Sequence, residues 1–243
     1  MGKKILITGA STGIGAATAE LLAPGNIIYI HYNRSEADAK NVLEKVVRNS
    51  GQGFLVQADL STEQGCKGLI DQITALTDSL DALVNNAGAL LKRMPLEDVT
   101  WDFMHQVFAI NTYSLLTVTV GCAPLLQKGT DPCIVNITTS SVRRANANSI
   151  SYGAAKGAVD AMTRGLAVHF APTIRVNSIA PGMIDTPFHV KVTDPEAFQK
   201  SINNIPLRRV GTAYNIAHTI KYAIENSFLT GSAIDVNGGQ EMR

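Results

Sequence analysis

The 243-residue chain is poor in the residues that make cross-linked or metal-bound scaffolds. It has three cysteines, Cys66, Cys122 and Cys133, an odd number with no close-spaced pair. That argues against a disulfide framework and predicts small buried hydrophobes in a reducing compartment. The five histidines (His31, His105, His169, His189 and His218) show no ligand spacing, so no metal site is expected. Charge of either sign is scarce in excess: the formal net charge is +1, which leaves no global field to recruit nucleic acid or membrane. No apolar stretch reads as long enough to span a bilayer. The apolar run after "MGKK" is too short for a signal-peptide core, and Leu6 stands where a myristoylation signal needs a hydroxyl. The expectation is a cytoplasmic protein with no nucleic-acid or membrane partner. Hydrophobic residues at 45% and charged residues at 17% fit an ordinary globular core and argue against disorder.

What the chain does have is alternation. Short runs rich in Ile, Val and Leu, at 4–8, 27–31, 53–57, 81–85, 133–138, 173–179 and 232–236, read as strands. Several lack a polar alternate, which suits strands covered on both faces. Helix-length segments separate them, at 14–23, 36–49, 62–77, 100–127, 152–171 and 212–225. Such repetition implies an α/β fold, a doubly wound parallel sheet with helices on both faces. No linker divides the chain, so residues 1–243 read as one domain. The stretch of about 186–210 lies in a Pro-interrupted segment (Pro181, Pro187, Pro195, Pro206) and reads as a substrate-covering loop. Phe188, Val190, Val192 and Phe198 are its candidate apolar contacts. Ligands of such sheets sit beyond the carboxyl ends of the strands, where the loops after Thr8, Asn85, Thr138 and Ile179 should meet.

"ILITGASTGIGAAT" sets Gly9, Gly13 and Gly15 between the first strand and the first helix. Glycines there allow a tight bend and close approach of backbone N–H groups to a pyrophosphate, which then faces the positive end of the helix. After the second strand an NAD site usually has an acid for the ribose 2′-OH. Here the first carboxylate is Glu36, and Asn33, Arg34 and Ser35 precede it. A cation with small donors suits a 2′-phosphate, so NADP(H) is favoured over NAD(H); Arg34 as a solvated loop charge is the competing account.

Tyr152 and Lys156 are four residues apart, on one face of a helix. A free phenol is a poor base at neutral pH. A neighbouring ammonium favours the phenolate, so the pair could exchange a proton with a substrate oxygen.

In order along the chain, "TGASTGIG", "ADL", "NNAG", Asn111 in "FAINTYS", "YGAAK", "IRVNSIAPGMIDT" and "LTGSAIDVNGG" resemble the short-chain dehydrogenase/reductase family, in its single-domain branch and closest in kind to the β-ketoacyl-carrier-protein-reductase-like group. The resemblance spans residues 4 to about 239. It implies a seven-stranded parallel Rossmann sheet, commonly in a homotetramer (or homodimer), acting on a small-molecule carbonyl or alcohol. It implies a cofactor turn of Gly9, Ser11, Thr12, Gly13, Ile14 and Gly15, and adenine contacts from Asp59 and Leu60. Asn85, Ala87 and Gly88 would line the adenosine ribose and support the sheet, and Ile184 and Thr186 would reach the carboxamide after Pro181 and Gly182. Lys156 would also bind the nicotinamide ribose, and Asn111 would join a proton relay to it.

The family also places a substrate-orienting serine thirteen residues before the tyrosine. Counting back from Tyr152 reaches Thr139, with Ser140 and then Ser141 available only if the loop is shorter. A threonine supplies the same O–H. Lys92, Arg93, Arg143 and Arg144 fall in loops bordering the cleft, where they could attract an anion; solvated loop charges are the simpler account. Asn237 replaces an Asp common in the family and is expected to matter little to catalysis. Small residues on the Tyr152 helix, among them Gly153 and Gly157, suit tight packing on the sheet or a subunit interface. The leading function is an NADP(H)-dependent oxidoreductase with Tyr152 as acid/base. A catalytically silent NADP-binding regulatory protein is the alternative, and a dehydratase or epimerase a third reading disfavoured by chain length.

Overall fold

The structure, a computed structural model, describes residues 2–144, 147–186, 199 and 201–242. Seven parallel strands form one sheet: β1 (Lys4–Ile7), β2 (Ile27–Tyr32), β3 (Gln52–Gln57), β4 (Ala82–Asn85), β5 (Cys133–Ile137), β6 (Arg175–Pro181) and β7 (Ala233–Val236). Their order is β3-β2-β1-β4-β5-β6-β7. The helices α1 (Gly13–Leu22), α2 (Glu36–Arg48), α3 (Glu63–Leu76), α4 (Trp101–Phe108), α5 (Ser114–Leu126), α6 (Ser141–Arg144), α7 (Ile150–Phe170) and α8 (Ala213–Glu225) connect them.

The sequence of β1 shows why both faces are covered. Ile5 and Ile7 point to one face, in an apolar cluster with Ile28, Ile30, Val84 and Ile220. Leu6 points to the other, with Leu83, Ile134, Leu69 and Val118. Burying each such side chain stabilises the fold by roughly 1.5–3 kcal/mol. Because β1 lies between β2 and β4, chain direction across the sheet reverses there, and a crevice opens beyond the strand ends.

The expected single helix over 100–127 is divided. α4 is followed by a π-helical turn, Ala109–Tyr113, and then by α5. Such turns insert a residue and re-aim its neighbours; this one carries Asn111. The continuous run Trp101–Leu126 is long and apolar enough by length and composition to cross a membrane, against the reading from sequence. It packs instead against α3 and the sheet, with Val118 and Cys122 wholly buried. α7 begins at Ile150, earlier than expected, so Tyr152 lies in its first turn. The expected strand 173–179 is displaced to Arg175–Pro181, since Thr173 and Ile174 still bond back to Phe170.

Arg175 closes the far end of the sheet. Its guanidinium donates to the carbonyls of Ala223 (2.9 Å), Ile224 (2.8 Å) and Leu229 (3.2 Å) and pairs with Asp131 at 3.1 Å, capping the C-terminus of α8. Of the proposed covering loop, residues 187–198 and 200 lie outside the described residues, and with them Phe188, Val190, Val192 and Phe198. At its flanks Ile184–Asp185 pairs in parallel with Gly211–Thr212.

Candidate active site

The glycine turn is built by contacts far apart in sequence. Gly9 has φ +63°, and a Cβ there would come within 3.0 Å of the Ala87 Cα. At Gly15 a Cβ would lie 2.4 Å from the Gly9 carbonyl oxygen, so this glycine seats α1 against the turn rather than facing outward. Asn86 Nδ2 donates to the Thr8 and Gly9 carbonyls at 2.9 and 3.0 Å. The Thr8 hydroxyl accepts from the N–H groups of Asn86 and Ala87 at 2.9 and 3.0 Å. The N-terminus of α1 carries no acidic residue in its first turn, leaving its positive end for an anion.

His31, on β2, holds the turn from below. Its Nδ1 accepts from the Gly9 N–H at 2.9 Å, so the proton sits on Nε2, which donates to the Ala58 carbonyl at 3.2 Å. Burial pushes its pKa down to about 4. Beyond it, Asp59 accepts from the hydroxyl and N–H of Ser61 at 2.6 and 3.0 Å, which holds its carboxyl below the usual range. Glu36, the first carboxylate after β2, pairs with Lys40 at 2.8 Å.

At the other end, Lys156 is 3% exposed and donates to the Ile137 carbonyl at 2.8 Å. Burial lowers its pKa to about 8. Asn111 is wholly buried; its Nδ2 donates to the Ala89 carbonyl (2.7 Å) and the Val107 carbonyl (2.9 Å), and its Oδ1 accepts from the Ala89 N–H (3.1 Å). Gly88 lies against both: a Cβ there would sit 2.7 Å from Asn111 Oδ1 and 3.1 Å from Lys156 Nζ. The phenol of Tyr152 is pushed up by burial. This direction is opposite to the one expected from a neighbouring ammonium, because desolvation disfavours the phenolate.

In the row of hydroxyls, Thr138 is structural, donating to the Ile179 carbonyl at 3.0 Å. Thr139 Oγ1 accepts from the Ser141 N–H at 3.2 Å, which leaves its own O–H to donate elsewhere. Ser140 is 5% exposed and its N–H donates to the Pro181 carbonyl at 2.9 Å. Ser141 opens α6.

One cleft of about 970 Å³ joins these parts. Its wall includes the turn residues Gly9, Ser11, Thr12, Gly13 and Ile14, the Asn33–Arg34–Ser35 loop, and Asp59 and Leu60. It also includes Ala87 and Gly88, the Thr139–Ser140–Ser141 run, Tyr152 and Lys156, and Pro181, Gly182, Ile184 and Thr186. Three expected residues are off the wall. Gly15 packs behind the turn and Asn111 stands behind Gly88. Asn85, expected on the adenosine ribose, spends its amide in the core, donating to Thr119 Oγ1 (2.9 Å) and Asn136 Oδ1 (3.0 Å). Of the loop cations, Arg93 and Arg144 are on the wall; Arg143 is held at 2.6 Å by Asp235. Asn237 backs the cleft, where its Cα limits the space beside Gly182. Sequence reasoning missed His31, Asn86 and Thr8. The one available signal was position: all three sit at carboxyl ends of central strands.

The cysteines are buried and free, and burial raises the thiol of Cys122 to about 12 and that of Cys133 to about 11, so neither is a nucleophile at neutral pH. Among the described residues, no three His, Cys, Asp or Glu gather as a metal site.

Comparison with known proteins adds the following. A family profile described as enoyl-(acyl carrier protein) reductase matches residues 9–241. The uncharacterized oxidoreductase YgfF of Escherichia coli (strain K12) is 33% identical over 243 residues, covering 97% of this chain and 98% of its own. Glucose 1-dehydrogenase 2 of Bacillus subtilis (strain 168) is 30% identical over 250 residues, covering 99% and 95%. Among solved structures, the NADH-dependent reductase A1-R′ responsible for alginate metabolism superposes with a TM-score of 0.90 at 29% identity, covering 100% of this chain and 98% of that one. The angucycline C-6 ketoreductase LanV with bound NADP does so with a TM-score of 0.89 at 28% identity, covering 98% and 95%.

Proposed function

The chain belongs to the short-chain dehydrogenase/reductase family and is an oxidoreductase of CH–OH/C=O groups; on that footing we propose that it is NADP(H)-dependent, reducing a carbonyl with Tyr152 as the proton donor. The observation that carries this reading is the cluster of Lys156, Gly88 and Asn111: Lys156 and Gly88 line the same cleft as Tyr152 and the glycine turn, with buried Asn111 behind Gly88.

The residues fit a dinucleotide. The turn would offer the backbone N–H groups of Ser11–Ile14 and a helix N-terminus to the pyrophosphate, those of Gly9 and Ala10 being taken by His31. Arg34, with Asn33 and Ser35, would hold a 2′-phosphate, while Glu36 is occupied by Lys40. Asp59 and Leu60 would hold the adenine, Ala87 and Gly88 its ribose, and Ile184 and Thr186 the carboxamide. Bound there, the nicotinamide supplies the hydride. Lys156, fixed by the Ile137 carbonyl, would turn its remaining N–H groups to the ribose hydroxyls and the phenol. Asn111 would act as a positioning residue: it ties the Ala89 backbone to the π turn. Thr139 would donate its hydroxyl to the substrate oxygen, with Ser140 as the alternate. A phenol kept protonated by burial is ready to donate a proton as charge develops on that oxygen, so the arrangement suits reduction at neutral pH.

We read residues 1–243 as one cofactor-binding unit, cytoplasmic, and assembled as a homotetramer (or homodimer) through α4–α5 and α7. Support for the assembly is that Trp101 is 86% and Val168 81% exposed, and that a Cβ at Gly153 or Gly165 would meet nothing within 4 Å among the described residues. Gly153 and Gly165 thus do not serve packing within the described residues, whereas Ala155 and Ala167 of the same helix are buried.

The test is NADPH oxidation with a panel of ketones, sugars and acyl-thioester analogues, run beside Tyr152→Phe. The variant is expected to lose turnover by a factor on the order of 100 or more while its NADPH dissociation constant changes little. Wild-type turnover in Tyr152→Phe, or a clear preference for NADH, refutes the corresponding part.

A further inference from the structure

We propose that Arg143 is a positioning residue: its guanidinium braces the turn at Thr139 and Ser140 against β7 and α7, and so sets the substrate-orienting hydroxyl relative to Tyr152. The inference deepens the proposed function and rests on it.

α6 is one turn of four residues, too short to hold its shape by itself. Its backbone is continuous with the run of hydroxyls. The Val142 N–H donates to the Thr139 carbonyl at 3.2 Å, and those of Arg143 and Arg144 donate to the Ser140 carbonyl at 3.1 and 3.3 Å. The Ser141 N–H donates to Thr139 Oγ1 at 3.2 Å. Whatever holds Arg143 therefore also holds Thr139. Toward the sheet, the main chain is anchored at Thr138, on the Ile179 carbonyl (2.8 Å), and at Ser140, on the Pro181 carbonyl (2.9 Å). Both anchors lie along β6, so they leave the turn free to tilt about that line. Asp235 is on the next strand, opposite Ala180, and Arg143 Nη1 donates to its Oδ1 at 2.6 Å. Two anchors on β6 and one on β7 are not collinear, and three such points fix the tilt.

The same guanidinium faces the helix that carries the reactive pair. Tyr152, Lys156 and Asp160 recur every four residues along one side of α7. Arg143 Nη2 is 3.9 Å from Asp160 Oδ1, a buried oxygen with no hydrogen-bond partner among the described residues. The other oxygen, Oδ2, accepts from Arg164 Nη1 at 2.7 Å. A Cβ at Gly157 would come within 3.8 Å of Val142 Cγ1, so α6 lies against α7 next to Lys156. The side chains of Arg143, Asp235 and Asp160 are 21%, 18% and 15% exposed, so water and salt screen these charges less than at an open surface. A planar fork addresses both carboxylates at once, which a lysine ammonium does not. Precision matters here, because a misplacement of about 1 Å costs on the order of 100-fold in rate.

The experiment follows NADPH-dependent reduction of cyclohexanone and ethyl acetoacetate, and hydrogen exchange of segment 138–144 in the same proteins. In Arg143→Gln and Asp235→Asn, kcat is expected to fall by about tenfold or more, with the KM for NADPH within about twofold of wild type. Exchange in 138–144 should speed by roughly tenfold while β1 and β4 keep their protection. The double variant should lose little more than either single one, because both changes remove one interaction. Arg143→Lys should recover part of kcat by keeping the contact with Asp235. Wild-type kcat in Arg143→Gln overturns the proposal. A loss of kcat that tracks a lower Tm, with faster exchange throughout the chain, also overturns it, because that marks a merely structural pair. If Arg143→Gln does not fold, Arg143→Lys and Asp235→Asn decide by the same two readouts. If the wild type reduces neither probe, exchange decides alone: faster exchange confined to 138–144 in the variants counts against the carbonyl-reduction reading and leaves the brace standing, and unchanged exchange overturns the brace.

Discussion

His31 makes the stability of the glycine turn depend on pH, and the effect can be sized. The ring is 2% exposed and carries two backbone contacts, to Gly9 and Ala58. Burial lowers its pKa from 6.5 to about 4; the Ala58 carbonyl and the Asp59 charge oppose that shift without cancelling it. The folded value lies below the unfolded one, so between these limits the unfolded chain binds a proton that the native chain does not. Stability from this group is therefore complete above pH 6.5 and lost as pH falls toward 4. Between pH 7 and pH 5 the loss is about 2 kcal/mol, or roughly 4–8 °C in Tm for a chain of this size. Protonation also removes the acceptor for the Gly9 N–H, so NADPH affinity should fall over the same window. His31→Asn keeps an acceptor oxygen that does not titrate in this range. Scanning calorimetry of both proteins at pH 7, 6 and 5 should show the wild type losing about 2 kcal/mol more than the variant. Parallel pH profiles would refute the argument, because subtraction cancels every other titrating group.

Other outcomes follow from the same geometry. Gly88→Ala forces a methyl to within 2.7 Å of Asn111 Oδ1 and 3.1 Å of Lys156 Nζ; kcat should fall on the order of tenfold, with about 1–3 kcal/mol lost in denaturant unfolding. Alanine at Thr139, Ser140 and Ser141 in turn should give one large loss of kcat, at Thr139, and two small ones; three equal small losses would leave no single hydroxyl in the role. Arg34→Ala should raise the KM for NADPH by about tenfold and leave NADH nearly unaffected. Because burial raises the Tyr152 phenol, alcohol oxidation, which needs the phenolate, should increase with pH, whereas carbonyl reduction should be flat across neutrality; a flat oxidation profile would contradict this.

The α/β architecture and most of the cleft wall were legible because their signals are local. Strand-length runs of Ile, Leu and Val, a glycine turn between strand and helix, and a Tyr–Lys pair at helical spacing each express a constraint within a dozen residues. Residues 9, 11 to 14, 33 to 35 and 152 with 156 accordingly line one cleft. Signals that depend on a distant partner were not legible. Asn85 meets Thr119 across 34 positions and Asn136 across 51, and these bonds hold its amide in the core, off the wall. The break at Ala109–Tyr113 has no local breaker, since neither Gly nor Pro lies in it, and it is paired across the fold with Ala89 and Ala155. Whether the Tyr152 phenol is raised or lowered turns on burial, which no spacing encodes. By itself, then, the sequence determined the order of strands and helices, the glycine turn between the first strand and helix, and the helical spacing of Tyr152 and Lys156, because backbone periodicity and turn chemistry are properties of short segments. Only the tertiary structure decided that His31 clamps the turn, that Asn85 turns into the core, and that burial raises the Tyr152 phenol, because each depends on solvent exclusion and on groups that the chain brings together from far apart.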